Sequence, residues 1–181
     1  MSGVVYKTIN KRYLVEKYNP LWVTKFEAIK KQLATVFKDK ALRIEHVGST
    51  SIPGMMAKPI IDVLVIVEKN EPFISEKEMM QRLGYKCVDN YLAENSVFFS
   101  KDIEGDRIEN IHLFPKNHPK VSEFLDIRDY LKIHPKEVEA YQNLKIELFK
   151  KFPDNYIQYR TNKDEFLKSL LVRAQEWRSG N

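Results

Sequence analysis

The sequence has very little cysteine. Cys87 is the only one among 181 residues, so no disulfide can form within the chain, and a structural zinc site built on cysteines lacks its ligands. This usage fits a reducing compartment, and we expect the protein to be cytoplasmic. The sequence also lacks a signal-peptide pattern and any hydrophobic run long enough for a membrane span, so we expect no membrane partner.

Internal repeats, low-complexity tracts and linkers rich in proline or glycine are absent as well. With 43% hydrophobic and 30% charged residues, the chain has the composition and size of one globular domain, which we expect to cover residues 1–181. The net charge of +5 favours an anionic partner. The basic residues are scattered and form no block, so nucleic acid is a weaker alternative than a small anion.

The first third of the chain predicts a helix, a strand, a turn and a second strand. Asn19 and Pro20 have the character of an N-cap and a first helical residue. The apolar residues that follow at helical spacing are Trp22, Phe26, Ile29, Leu33 and Phe37. Residues 41–47 alternate as a strand does, residues 48–54 carry turn residues, and residues 59–67 predict a more buried strand.

Shorter elements follow in the middle of the chain. A helix is predicted to end near Leu83, with Gly84 as its stop, and strands are predicted over 85–88, 97–100 and 107–114. Residues 101–106 would form the hairpin between the last two strands. Residues 89–95 would be the longest irregular stretch.

The last third predicts helices only, from Glu123 onward. Pro135 is expected to open one helix, and Thr161 with Asp164 resembles a capping box that opens another. The apolar positions on these two helices are Val138, Tyr141, Leu144 and Leu148, then Phe166, Leu170, Ala174 and Trp177. The predicted fold class is therefore α/β, a mixed sheet flanked by helices with a helical C-terminal region.

The most informative stretch runs from Glu45 to Leu64 and reads E-H-V-G-S-T-S-I-P-G-M-M-A-K-P-I-I-D-V-L. A strand that ends in Gly48 and Ser49 presents backbone amides and a hydroxyl at the start of the next turn, which suits the oxygens of a phosphate. The alternative is a tight turn with a capping hydroxyl and no ligand.

Asp62 is the one charged residue in an otherwise apolar predicted strand. A carboxylate there is costly to bury alone, so it should meet a cation, a hydrogen-bond donor or water. A bound metal ion would satisfy it. The alternative is a structural salt bridge to Lys58 or Arg43.

The string H-V-G-S-T-S-I-P-G, followed by A-K-P-I-I-D-V, resembles the central motif of the GrpB family, some of whose members are fused to dephospho-CoA kinase. A Gly-Ser pair followed about a dozen residues later by a buried aspartate also resembles the signature of the nucleotidyltransferase superfamily. The resemblance covers most of the chain, and its further matches are Tyr18, Pro20, Trp22, Phe26, Gly84, Tyr85, residues 111–113 and 128–135, Tyr141, Lys145 and residues 163–166.

The resemblance implies a nucleotidyltransferase-type core, in which paired carboxylates on one strand hold two divalent cations, here Mg²⁺. It implies Asp62 as metal ligand and catalytic residue, with Glu45 as a second catalytic candidate. The implied substrate-binding residues are Gly48, Ser49, Thr50, Lys58 and His112. The sequence departs from the pattern at Leu64, which occupies the second acidic position, and Glu45, Glu109 or His112 would have to compensate.

Two functions remain open. The first is a metal-dependent nucleotidyltransferase that moves a nucleoside monophosphate to an acceptor. The second is a binding module that holds a nucleotide, a CoA-like molecule or another phosphorylated metabolite without turnover, which Leu64 favours.

Three of the polar residues also have structural interpretations. His112 alternates within a strand, so a hydrogen-bonded core imidazole competes with a ligand role. His46 has the pattern of a core histidine and is left outside the catalytic set. Lys58 precedes a proline, where a solvated lysine is the common case.

Overall fold

Helices and strands alternate through the first two thirds of the chain, and helices alone form the remainder. The computed structural model describes residues 5–7 and 12–180. The strands are β1 (Val5–Lys7), β2 (Arg12–Leu14), β3 (Ala41–Val47), β4 (Ile61–Val67), β5 (Lys86–Asp89), β6 (Val97–Ile103) and β7 (Asp106–Pro115). The α-helices are α1 (Leu21–Phe37), α2 (Ile74–Arg82), α3 (Pro119–Ile133), α4 (Pro135–Lys151) and α5 (Tyr156–Ser179).

Five of the strands form one mixed sheet in the order β3-β4-β7-β6-β5. Strands β4 and β7 are parallel, and every other neighbouring pair in this sheet is antiparallel. The predicted pairing of β3 with β4 is confirmed, as is the mixed α/β class. Strands β1 and β2 pair in a separate two-stranded sheet that the sequence analysis did not predict.

Strand alternation divides the side chains of this sheet between two faces. One face carries Val63 and Val65 of β4 and Ile111 of β7, all fully buried in a cluster with residues of α1 and α2. The opposite face carries Leu64 and Phe114, which pack in a second cluster with residues of α3. Because both faces of β4 are covered, its sequence is almost continuously apolar.

The helical tail packs against the loop that follows the Gly48 turn. Ile52 and Met55 of that loop are fully buried in one cluster with Tyr141 of α4 and Leu170 of α5. This packing brings α4 and α5 close to the residues that the sequence singles out. Among the described helices, none is both long and apolar enough to cross a membrane.

Several predicted boundaries need correction. Strand β4 begins at Ile61, two residues later than predicted, and β5 covers Lys86–Asp89 instead of 85–88. The predicted hairpin over 101–106 is shorter, because β6 and β7 extend into it. Only Glu104 and Gly105 remain as the turn, both with positive φ (52° and 85°), which is the geometry that suits a two-residue hairpin.

The helical boundaries also differ from the prediction at three places. The Asn19 side chain accepts a hydrogen bond from Leu21 N at 3.0 Å, as an N-cap does, and α1 begins at Leu21. Helix α3 begins at Pro119, four residues before the predicted Glu123. Helix α5 begins at Tyr156, where the Asn155 side chain caps the Gln158 amide, so the predicted capping box at 161–164 is wrong.

Candidate functional site

Gly48 lies directly against Asp62. Val47, the last residue of β3, pairs with Asp62 near the start of β4, so the chain turns away from the sheet beside this carboxylate. Gly48 has φ +70° and ψ −176°, a conformation that belongs to glycine, and a Cβ there would lie 2.5 Å from Asp62 Oδ2. Glycine is required by both the backbone conformation and the contact.

A short 3-10 turn over Ser49–Ser51 follows and is fixed by hydrogen bonds of its own. Ser51 Oγ donates to the Gly48 carbonyl at 2.7 Å. Thr50 Oγ1 donates to the Ile60 carbonyl at 3.2 Å and lies 3.0 Å from His46 Nε2. The Thr50 hydroxyl has a single hydrogen, so His46 Nε2 is the donor in that second contact. Thr50, a predicted substrate-binding residue, is buried, and its hydroxyl is engaged by Ile60 and His46, on either side of the turn.

His46 has the environment of a structural residue. Its ring stacks on Phe26 of α1 with a centroid separation of 4.7 Å and an interplanar angle of 10°. Burial lowers the pKa of His46 to about 4, although the charge of Asp62 acts in the opposite direction, and the imidazole is neutral at pH 7. His46 thus has the contacts of a core histidine.

Asp62 receives its hydrogen bond from a neighbouring strand. Asn110 of β7 stands opposite Asp62 and donates from Nδ2 to Asp62 Oδ1 at 2.8 Å. Arg107 NH1 donates to Asn110 Oδ1 at 3.0 Å and so orients the amide. The Asp62 side chain keeps 26% of its surface exposed, which leaves it accessible to a ligand. The sequence analysis missed Asn110, whose signal was its position two residues before His112 on the same strand face.

His112 lies beside this pair on the same face of the sheet. Its Nε2 is 3.6 Å from Asp62 Oδ1, and its ring lies between the rings of Phe98 and Phe124. The side chain is 8% exposed, and its Nδ1 has no hydrogen-bond partner within the described residues. The structure thus brings His112 to Asp62 and leaves one of its ring nitrogens unsatisfied.

An apolar side chain, Leu64, occupies the position two residues after Asp62 where the family resemblance predicts a second metal-binding carboxylate. Leu64 is 0% exposed and packs with Val47, Ile66 and Phe114. Glu45 pairs with Leu64 across β3 and β4. Its carboxylate is held by Arg128 of α3 at 2.7 Å and by Arg43 at 2.8 Å.

These pairings fix the charge of Glu45. Burial raises the pKa of Glu45, but hydrogen bonds from Arg128 and Arg43 outweigh burial and leave it below its usual range. Since Arg43 and Arg128 both serve Glu45, the alternative salt bridge of Asp62 to Arg43 has no support in these contacts. Lys58, the other alternative partner and a predicted ligand residue, is half-buried in the loop before β4.

The donor set around Asp62 fits one hard cation better than two. The described residues contain no group of three or more histidine, cysteine, aspartate or glutamate side chains able to hold a metal ion. Mg²⁺ is commonly bound through one or two carboxylates together with phosphate oxygens of a ligand. Asp62 could serve such an ion, but a pair of bridged cations would lack its second carboxylate.

Helices α4 and α5 contribute polar side chains that the sequence analysis left without a role. Tyr141 is buried and hydrogen-bonded to the Ser49 side chain, and its burial raises its pKa. Lys145 donates to the Met56 carbonyl at 2.6 Å, and Lys163 of α5 lies within the electrostatic reach of Asp62. Their signal in the sequence was the family match itself, which includes all three residues.

Two open depressions on the surface lie elsewhere. One is lined by residues such as Glu71, Lys77 and Asp89, and the other by residues such as His118 and Arg178. Neither contains Asp62 or the Ser49 turn. Most of the charged groups that line them already have ion-pair partners, as Lys77 has in Asp89 and Arg178 in Asp129, so neither depression offers the chemistry found around Asp62.

The comparisons with known proteins agree on one family. The family described as GrpB protein matches residues 13–173. The chain is 35% identical over 163 residues to UPF0157 protein YqkA of Bacillus subtilis, a match that covers 90% of this chain and 47% of that protein. The chain therefore spans about half the length of this relative.

Two solved structures are informative. The crystal structure of conserved protein GrpB from Enterococcus faecalis superposes with a TM-score of 0.85 and 32% identity, covering 91% of this chain and 99% of that one. The structure of Cid1 in complex with its short product ApU gives a TM-score of 0.52 at 13% identity, covering 75% of this chain and 43% of that one. At that identity the likeness to Cid1 shows a shared nucleotidyltransferase-like fold and nothing about activity.

Proposed function

The chain belongs to the GrpB family, and we propose that it binds a nucleotide or another phosphorylated small molecule beside Gly48, Ser49 and Asp62 without two-metal nucleotidyl transfer. The observation that carries this proposal is Leu64, fully buried where a second metal-binding carboxylate would be needed. Leu64 is compatible with ligand binding but not with two-metal transfer. Phosphate binding needs hydrogen-bond donors, whereas the two-metal reaction needs paired carboxylates.

The support for phosphate binding comes from the turn. Gly48 carries no side chain, which lets the Asp62 carboxylate lie directly against the turn. Ser49 is partly exposed, and its hydroxyl, which contacts Tyr141, is the turn's group nearest to solvent for a phosphate oxygen. Thr50 and Ser51 are engaged internally and hold the turn in place. A preformed turn of this kind binds an anion without the cost of ordering a loop.

The test is a ligand panel read by thermal denaturation and calorimetry. ATP, UTP, CoA and inorganic pyrophosphate are each added with and without Mg²⁺, and a ligand that binds only the folded state raises the melting temperature. We expect at least one of these compounds to stabilise the protein, and Ser49→Ala to reduce the shift. Ser75→Ala is the matched control, because Ser75 lies in the separate helix α2. A panel without any shift would refute the proposal.

Nucleotidyl transfer is the second candidate, and the exposed part of Asp62 favours it. A single Asp62-bound Mg²⁺ would supply charge neutralisation to ligand phosphates, while Ser49 would orient them. The measurement is release of pyrophosphate from a nucleoside triphosphate in the presence of Mg²⁺ and an added hydroxyl acceptor, with the nucleoside monophosphate passing to that hydroxyl or, in its absence, to water. Turnover abolished by Asp62→Asn would establish transfer and overturn the purely binding function, whereas binding without turnover would support the function proposed first.

A further inference from the structure

Arg107 reaches the Asp62 face of the sheet because strand β7 contains a bulge. The register of β6 with β7 shifts by one residue at Asp102, which pairs with Arg107, and Ile108 is left as the extra residue. In a regular strand, residues three apart such as Arg107 and Asn110 lie on opposite faces. The bulge resets this alternation and places both side chains on one face, as bulges next to functional sites often do.

Contacts on two sides hold the Arg107 guanidinium in place. Its Nε donates to Asp102 Oδ1 at 2.5 Å, and its Nη1 donates to Asn110 Oδ1 at 3.0 Å. The hydrogen bond from Arg107, together with one from Lys86, holds the pKa of Asp102 below its usual range, so this carboxylate is charged. The Arg107 side chain is 37% exposed and nevertheless has a defined position.

The orientation of the Asn110 amide follows from the chemistry of its two neighbours. The Arg107 guanidinium only donates hydrogen bonds, and the Asp62 carboxylate only accepts them. The amide therefore turns its oxygen to Arg107 and its NH2 group to Asp62, where Nδ2 donates to Oδ1 at 2.8 Å. A half-turn of an amide hardly changes its shape, so hydrogen bonding selects this orientation.

This orientation restricts Asp62 as a metal ligand. Its Oδ1 accepts from Asn110 and lies 3.6 Å from His112 Nε2, and its Oδ2 lies against Gly48. The NH2 group of Asn110 offers nothing to a cation, whereas an amide oxygen is a good ligand for a hard one. With the amide reversed, Asn110 and Asp62 would present two oxygens to the same ion.

We propose that Arg107 is a positioning residue that keeps Asn110 from becoming a second oxygen ligand, so that Asp62 binds a free divalent cation weakly. Phosphate oxygens of a ligand would then supply the coordination that the protein withholds, which is a common way of binding Mg²⁺. This inference rests on the proposed function for its phosphate ligand. It deepens that function, because it states how the site selects a ligand-bound cation over a free one.

The experiment measures binding of Mn²⁺ alone to the full chain by electron paramagnetic resonance, since Mn²⁺ prefers the same oxygen ligands as Mg²⁺. Arg107→Met keeps an unbranched side chain but removes the donor, so the Asn110 amide is free to turn. This variant should bind Mn²⁺ roughly tenfold more tightly than the wild type, an effect of the size that groups around metal ligands usually have. Arg107→Lys keeps a donor and should stay within about threefold of the wild type.

Two controls separate this effect from the simple loss of a positive charge. Lys86→Met removes one charge from the neighbouring strand β5, and it should change Mn²⁺ affinity by about twofold or less, because the Lys86 side chain is 76% exposed and screened by salt. In an Asn110→Leu background no amide remains to turn, so adding Arg107→Met should have no effect. A through-space effect of charge would persist in that background.

The side-chain amide of Asn110 gives a second readout, by nuclear magnetic resonance. Its proton signals should keep their shifts when Mg²⁺ alone is added to the wild type, and in Arg107→Met they should move as the amide oxygen turns to the ion. An amide that turns in the wild type with Mg²⁺ alone would overturn the proposal, even if Arg107→Met does not fold. Melting temperatures show which variants are folded.

The outcomes distinguish this inference from the proposed function. Unchanged Mn²⁺ affinity in Arg107→Met, or a gain that persists with Asn110→Leu, would overturn the role of Arg107, whereas the ligand panel alone decides on phosphate binding. If Arg107→Met binds Mn²⁺ more tightly and the gain requires Asn110, the positioning role is supported. Should no phosphorylated compound then bind the wild type, the positioning role still stands and the proposed function fails.

Discussion

The two faces of the central sheet use the same strands for different purposes. On the face toward α1 and α2, β4 and β7 contribute Val63, Val65, Ile111 and Leu113, all of them fully buried. On the opposite face the same two strands carry Asp62, Asn110 and His112, next to a smaller apolar cluster that includes Leu64 and Phe114. One face stabilises the fold and the other holds a polar site at one end.

This difference teaches that a candidate site can occupy strands that are also the centre of the core. Alternation places every second side chain on the opposite face, so polar groups on β4 and β7 do not interrupt the packing against α1. Consecutive residues of one strand therefore lie in different environments, one in the packed core and the next beside the candidate site. Substitutions on the two faces should therefore have different consequences, and four predictions test this.

The largest effect is expected on the apolar face. Phe99 is fully buried and packs edge-on against Phe37 at a centroid distance of 6.1 Å. Phe99→Ala should lower the free energy of unfolding by about 3–5 kcal/mol, through lost transfer free energy and a residual cavity. Chemical denaturation provides the measurement, with Val88→Ala on the edge strand β5, where Val88 is exposed, as the mild comparison. Equal losses in the two variants would contradict the division of the sheet.

A second prediction concerns the contact of Gly48 with Asp62. Gly48→Ala should cost about 2–4 kcal/mol, because a new Cβ meets the Asp62 carboxylate in addition to the positive φ. Gly54→Ala is the matched control: Gly54 has φ +78° but open space around it, so only the cost of the backbone conformation applies, about 1–2 kcal/mol.

The difference between the two glycine variants isolates the collision with the carboxylate. It should be accompanied by loss of ligand binding in Gly48→Ala alone. Equal stabilities for the two variants would mean that the backbone at Gly48 shifts enough to accommodate the new Cβ without displacing Asp62.

The third prediction is a pH dependence at the rim of the apolar face. The pKa of His46 is lowered to about 4 in the folded protein and is near 6.5 when unfolded, so between these values the unfolded state binds more protons. The stability contribution of neutral His46 is complete above pH 6.5 and is lost as the pH falls toward 4.

Because the imidazole is only partly buried, we expect this loss to be about 1–3 kcal/mol. Other groups titrate in the same range, so the measurement is the difference in unfolding free energy between the wild type and His46→Gln. That difference should shift in favour of the variant as the pH falls from 7 to 4.5. A constant difference would show that His46 is not buried as a neutral ring.

The smallest effect on stability is expected at Asp62 itself. In Asp62→Asn the side-chain carbonyl can still accept from Asn110 Nδ2, and Arg43, one of the alternative partners of the carboxylate, is paired with Glu45 instead. We expect a change of less than about 1 kcal/mol in the apo protein, with either sign. Binding of a Mg²⁺-nucleotide should fall.

Melting curves recorded without metal test this directly. If the free energy of unfolding of the variant is lower by several kcal/mol, Asp62 is half of a structural ion pair. The polar face of the sheet would then also contribute to the stability of the fold.

The local elements of this fold were largely predictable from the sequence. The periodicity of α1, the alternation of β3 and the apolar run of β4 are local properties, and each element was found where its pattern indicated. Element ends were less predictable, because competing caps exist: Asn155 opens α5 where Thr161 was expected to. The Gly48 turn and Asp62 were also identified from residue type and spacing.

The sequence by itself thus determined the order of the elements from α1 onward, the family and the position of the Gly-Ser turn, because these depend on neighbours in the chain. Only the tertiary structure decided which side chains meet. Asn110 lies 48 residues from Asp62, and Arg128 lies 83 from Glu45, so no local pattern joins them. The pairing of β4 with β7 and the packing of α3, α4 and α5 set these contacts, since sheet register and helix packing are fixed by the burial of the whole apolar surface.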